Sequence, residues 1–130
     1  MNWADWIDHR ILRYADVILM AAEAANETGD GPTAETMLEK IRARARGGAN
    51  PATVLPHIAF ASQAQMRTAI KNERRWEFAM EGYRFYDLVR WGDAPTALGS
   101  LGYQPKNALY PIPQPVIDQF LGKLAQNPAY

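Results

Sequence analysis

The 130-residue chain has no cysteine, which excludes disulfides, thiolate metal sites and a cysteine nucleophile. Its two histidines, His9 and His57, stand apart from each other and fall in no metal-ligand spacing. Neither sign of charge is in excess: fourteen Lys and Arg balance fourteen Asp and Glu, leaving no global field to recruit nucleic acid or anionic lipid. No apolar run approaches the ~20 residues of a membrane-spanning helix. The opening MNWADWIDHR carries acids and lacks a secretory apolar stretch, so the chain taken alone is expected to stay in the cytoplasm. Ser62 and Ser100 sit in no nucleophile elbow, and no glycine-rich phosphate loop occurs.

What is present is an ordinary globular composition, 48% hydrophobic and 22% charged, of a length that suits one domain over residues 1–130. Ten of the fourteen basic residues are arginine, which favours fixed planar pairing with carboxylates. In RILRYADVILMAAEAANETGD, Ile11, Ala15, Ile18, Ala22 and Ala25 recur at helical spacing. Leu12, Val17, Leu19 and Met20 lie off that stripe, so this helix is apolar over much of its circumference, as in one sandwiched between neighbours. Gly29 provides a C-terminal stop. The next stretch, GPTAETMLEKIRARARGG, places Ala34, Met37, Leu38, Ile41 and Ala45 on one face and ends at Gly47-Gly48. Two helices joined by Gly-Asp-Gly-Pro make an antiparallel hairpin of roughly 34 residues, the size of one tetratricopeptide unit.

GGANPATVLPHIAF reads as a loop, and Ser62 as the N-cap of a long third helix. Ala69, Trp76, Met80 and Tyr83 are expected to share one apolar stripe, with Gly82 bending or ending it. YRFYDLVRW predicts a shorter helix. Pro111, Pro113 and Pro115 impose extended chain, after which a short helix starting at Pro115 would bury Ile117, Phe120, Leu121 and Leu124. The fold class is therefore all-α, with an irregular proline-rich C-terminal tail.

Chemistry, if any, would concentrate in NERRWEFAMEGYRFYDLVRWG, which holds six aromatics, four arginines and four acids. Glu73, Glu77 and Glu81 stack on one helix face, as an acid–base pair for glycoside hydrolysis could. Arg74, Arg75 and Arg84 stand among them, however, and carboxylates paired with arginine stay ionised, which suits a structural network better than a general acid. The aromatics could form a sugar-stacking platform, but at helical spacing they are expected to be core. Trp3 and Trp6 are a separate pair, either candidates for an exposed ligand contact or the end of an element that packs on something outside the chain. Arg42, Arg44 and Arg46 spread around their helix and are expected to be solvated or ion-paired.

The blocks RYADVILMAAEAANETGD, AIKNERRWEFAMEGYRFYDLVRWG, LYPIPQPVIDQ and QNPAY resemble, in order and spacing, the C-terminal region of the SusD/RagB family. The middle block carries the family signature at Glu73, Arg74, Arg75, Glu77, Phe78, Glu81, Gly82, Arg84, Asp87, Leu88, Arg90 and Trp91. The resemblance implies a scaffold of TPR-like hairpins in which Glu73, Arg74, Arg75 and Arg84 pin helices together. It implies an oligosaccharide-binding lipoprotein on the outer membrane of Bacteroidetes cells, without catalysis or cofactor, serving a SusC-like TonB-dependent transporter. Family members are several times longer and begin with a lipoprotein signal and an acylated cysteine. The chain is accordingly expected to be a C-terminal fragment or a truncated homologue, prone to self-association or only marginally stable, with the ligand held mostly by residues outside it. Val116 stands where the family commonly has an acid, and Ala129 where it commonly has glycine. The alternative is a TPR-like protein-interaction module with no sugar ligand; a carbohydrate hydrolase dependent on Glu73 comes third.

Overall fold

The computed structural model describes residues 11–130, so Trp3, Trp6 and His9 lie outside the described residues. Among the described residues six α-helices follow one another: α1 Tyr14–Glu27, α2 Gly31–Arg46, α3 Gln63–Glu77, α4 Tyr83–Arg90, α5 Ala94–Leu98 and α6 Gln114–Gln119. No strand occurs among the described residues. The chain divides into two compact units, one ending at Ala79 and the other running Met80–Tyr130.

In the first unit α1 and α2 form the expected antiparallel hairpin. The turn works because Gly29, at φ +87°, adopts the left-handed conformation that lets its own N–H reach Asn26 O and the Asp30 N–H reach Ala25 O. Asp30 then caps α2 by accepting from the Thr33 N–H at 3.1 Å. Helix α3 starts at the predicted Ser62 cap, whose hydroxyl accepts from the Gln65 N–H. It packs antiparallel to α1. At one end Asn26 and Gln63 exchange side chain-to-carbonyl hydrogen bonds, while Glu27 pairs with Arg67; at the other, Arg13 and Asp16 meet Glu77 and Arg74. The apolar core is Ala15, Ile18, Leu19 and Ala22 of α1, Ala34, Leu38 and Ile41 of α2, and Met66, Ala69 and Ile70 of α3. Its many alanines let the helix axes approach closely. The loop between α2 and α3 lies on α2: the Phe60 ring covers Gly31, where a Cβ would come within 2.7 Å of the ring, and the Phe60 N–H donates to Glu35.

Three expectations for buried faces need correction. Ile11 precedes α1 and is exposed, while Leu19 is fully buried. The inner stripe of α3 is Met66, Ala69, Ile70, Glu73 and Arg74, leaving Trp76 58% exposed. Helix α3 ends at Glu77, well before Gly82, and Met80 projects into solvent at φ +68°. The apolar periodicity misassigned this helix because two charged residues occupy the inner face that it had reserved for hydrophobes. In the tail, α6 stops at Gln119, and Phe120 and Leu121 are exposed.

The second unit buries little apolar surface, with only Leu88 and Ala94 as buried hydrophobics among the described residues. Side-chain amides hold it instead. The proline-flanked Ile112 has both backbone groups taken by one side chain: Gln126 Oε1 accepts from its N–H at 2.8 Å and Gln126 Nε2 donates to its carbonyl at 2.9 Å. Asn127 donates to Tyr110 O, and the Tyr130 hydroxyl donates to Leu109 O at 3.0 Å. Lys106 lies 5.0 Å from the centroid of the Tyr130 ring. The LYPIPQ and QNPAY blocks are thus two halves of one clasp, which supplies the hydrogen bonds that alternating prolines deny to a ladder.

Ala129 closes that clasp at φ +68°, the region where glycine is at home. Left-handed alanine costs about 1–2 kcal/mol, and glycine returns roughly 0.5–1 kcal/mol as extra freedom of the unfolded chain. Ala129→Gly is therefore expected to stabilise the second unit by about 0.5–1 kcal/mol, read as a higher urea or thermal midpoint. An unchanged or lower midpoint would show that the tail is not held in this turn.

Candidate functional site

The signature stretch begins inside the protein. Glu73 and Arg74, on the inner face of α3, are each only 4% exposed, and they point to different helices. Glu73 Oε2 accepts from Arg42 Nη1 of α2 at 2.7 Å; Arg42 also donates through Nε and Nη2 to the carbonyl of Pro56 in the loop. Arg74 Nη1 donates to Asp16 Oδ1 of α1 at 2.7 Å. One turn on, Glu77 bridges both neighbours, pairing with Arg13 at 2.9 Å and with Arg44. Phe78 is buried with the guanidinium carbons of Arg13 and Arg74 at 5.1 and 5.0 Å from its ring centroid, a cation–π arrangement. Residues 73–78 thus tie α3 to α1, α2 and the loop.

Electrostatics follow from this geometry. Burial pushes the Glu77 carboxyl up, but Arg44 and Arg13 outweigh it, and the net pKa lies below the ordinary 4.5. Arg46 depresses Glu39, and also collects the carbonyl of Leu55. The three arginines of α2 are therefore all paired, and Arg42 is a core residue that neither its charge nor its spacing marked as one. Arg75 and Arg84, also expected to pin helices, are exposed and form no ion pair among the described residues.

The rest of the signature lies in the second unit. Gly82, at φ +83°, precedes α4. Asp87 and Leu88 are buried, and Asp87 Oδ1 accepts from Arg90 Nε at 2.9 Å. The Arg90 guanidinium sits 4.6 Å from the centroid of the half-buried Trp91 ring. Glu81 is exposed. Of the six aromatics from Trp76 to Trp91 only Phe78 is buried, so the core expectation for this cluster holds at one position. Phe85 instead faces an open cavity of about 380 Å³, lined by Phe85, Tyr103, Asn107, Tyr110 and Tyr130 with leucines 98, 101 and 109. The Phe85 ring centroid lies 6.4 Å from those of Tyr103 and Tyr110. Periodicity gave no sign of this pocket, because its rings come from α4, a turn and the tail. Among the described residues no three His, Asp or Glu side chains are grouped as a metal site would require, and no helix is long and apolar enough to cross a membrane.

Removing one partner of a buried ion pair strands the other. Glu73→Leu is expected to destabilise the first unit by about 3–5 kcal/mol, and Arg42→Met/Glu73→Leu together by far less than the sum of the single changes. Additive losses in urea titrations would mean that the pair does not act as a unit. The acidic limb of stability tests the carboxylates. Glu27, Glu39 and Glu77 all have pKa values lowered by folding, so their contribution is complete above the ordinary 4.5 and is lost as pH falls through the depressed values. Arg44→Met and Arg46→Met are expected to flatten the decline in stability below that pH, and an unaltered slope would contradict the assignment.

The fold and its signature have clear relatives. A family model described as the SusD family matches residues 1–108. SusD-like protein P2 of Formosa agariphila is 32% identical over 127 residues, 92% of this chain and 25% of its own length. SusD-like protein P25 of the same organism is 37% identical over 75% of this chain and 18% of its own. A laminarin-binding SusD-like protein of known structure superposes with a TM-score of 0.71 at 38% identity, covering 92% of this chain and 23% of that one. A SusD homologue from Bacteroides thetaiotaomicron gives 0.77 at 29% identity, with 92% and 26% covered. The chain thus spans a quarter or less of the curated relatives named here. With three helices locked through the signature residues Glu73, Arg74 and Glu77, and with that match across most of its length, the chain belongs to the SusD family.

Proposed function

We propose that this chain is the C-terminal scaffold of a non-catalytic oligosaccharide-binding module, acting at the outer membrane beside a SusC-like TonB-dependent transporter, with most ligand contacts made by residues beyond it. The observation that carries this reading is the commitment of Glu73 and Glu77 to arginines within the helix packing. Arg44 and Arg13 hold the Glu77 carboxyl below its ordinary pKa, against the protonated state that a general acid for glycoside cleavage needs. Similarity to a laminarin-binding protein supports a glycan as the ligand class. A TPR-like interaction module without a sugar ligand is the second reading, favoured by the exposed Tyr14, Val17 and Met20 along α1.

A chimera separates the two. If the corresponding segment of the laminarin-binding relative is replaced by this chain, the hybrid is expected to fold and to hold laminarin within about tenfold of the parent, or 1.4 kcal/mol. It should release no reducing sugar, and Glu73→Gln should alter stability without altering that blank. A folded hybrid that ignores laminarin, or one that cleaves it, would overturn the proposal.

A further inference from the structure

The cavity in the second unit is not part of the signature network, yet it is built rather than incidental. Four aromatic rings from three separate segments converge on it, and the tail clasp fixes two of its walls: Tyr130 through its hydroxyl, and Tyr110 through Asn127 on its carbonyl. Two of its lining residues carry polar groups that the fold does not use. Asn107 spends its Oδ1 on the Gln104 N–H, while its Nδ2 makes no hydrogen bond among the described residues. The Tyr103 hydroxyl likewise has no such partner there. The remaining wall is leucine and Gly102, and no carboxylate, ammonium or guanidinium lines the space.

These features specify a ligand. Aromatic faces with unspent amide and hydroxyl groups suit a molecule that is apolar on one face and hydroxylated at its edge, as a pyranose is: its axial C–H bonds lie on a ring while its hydroxyls hydrogen-bond in plane. A purely apolar peptide segment would leave Asn107 and Tyr103 unsatisfied on burial, at a cost. A uronate or sulfated sugar would find no cation in the lining, since Lys106 does not line the cavity and is engaged with the Tyr130 ring and the Ala129 carbonyl. The volume lies at the small end of the ~300–1,000 Å³ typical of ligand pockets, room for about one or two rings.

We propose that the cavity of Phe85, Tyr103, Asn107, Tyr110 and Tyr130 is a subsite for a neutral sugar ring, with Asn107 Nδ2 and the Tyr103 hydroxyl as its polar contacts. This rests on the oligosaccharide-binding reading above and adds a contact made by the present chain. The test is an NMR titration of the full chain with laminari-oligosaccharides and malto-oligosaccharides, with oligogalacturonates as the charged comparison. A neutral series should shift the side-chain resonances of Tyr103, Asn107 and Tyr130, and the charged one should not. Tyr103→Phe keeps the ring, and Asn107→Asp keeps the acceptor that holds the turn. Each should weaken binding by about tenfold with an unchanged fold. Shifts that fall elsewhere would overturn the subsite and leave the glycan reading intact. The same division follows if no sugar shifts the chain while the chimera holds laminarin. Failure of both titration and chimera would remove the reading as well.

Discussion

The first unit depends on placing ions where hydrophobes would ordinarily go. Arg42, Glu73, Arg74 and Asp16 are all nearly inaccessible to water, at the level where α1, α2 and α3 meet. Desolvating two guanidiniums and two carboxylates is costly, and their mutual attraction recovers that cost only where distances are short and the spare donors are satisfied. Both conditions are met: each pair closes at 2.7 Å, and the remaining Arg42 donors end on Pro56 O. An apolar core could stabilise the same packing equally well, but it would tolerate sliding. Directional bonds from adjacent residues of one helix to two different neighbours fix a single register.

That constraint explains the rest of the unit. With the C-terminal end of α3 anchored, its N-terminal end meets Asn26 and Glu27, and the loop from Gly47 to Ser62 is drawn across α2 by Arg42, Arg46 and Glu35. The second unit solves a different problem. It has a thin apolar core and a tail in which proline removes backbone donors. Gln126, Asn127 and Tyr130 supply hydrogen bonds from side chains, and in doing so they shape the walls of the aromatic cavity.

Much of this was legible in the sequence, in places for reasons that physical chemistry makes plain. The α1–α2 hairpin followed from spacing and from Gly29, and the start of α3 from Ser62. The inner face of α3 did not, because periodicity counts hydrophobes and here Glu73 and Arg74 take their place. The family resemblance pointed to that stretch as structural, but placed Arg75 and Arg84 beside Arg74 where the fold leaves them exposed. Arg42 was invisible, since a buried arginine is recognised only by its partner 31 residues away. The pocket and the tail clasp escaped for the same reason: both join residues distant in sequence, and nothing in a local window records that Gln126 will serve Ile112.

The central claim is that the signature residues lock α3 to its neighbours, and native-state hydrogen exchange reads this most directly. A helix end normally frays, so its last amides exchange through small local openings. If the arginine–carboxylate network holds, the amides of Glu77 and Phe78 will exchange only with unfolding of the whole first unit, as slowly as those of Leu19 and Leu38. If they exchange freely while the α1–α2 core stays protected, the network is an ornament on a hairpin that folds without it.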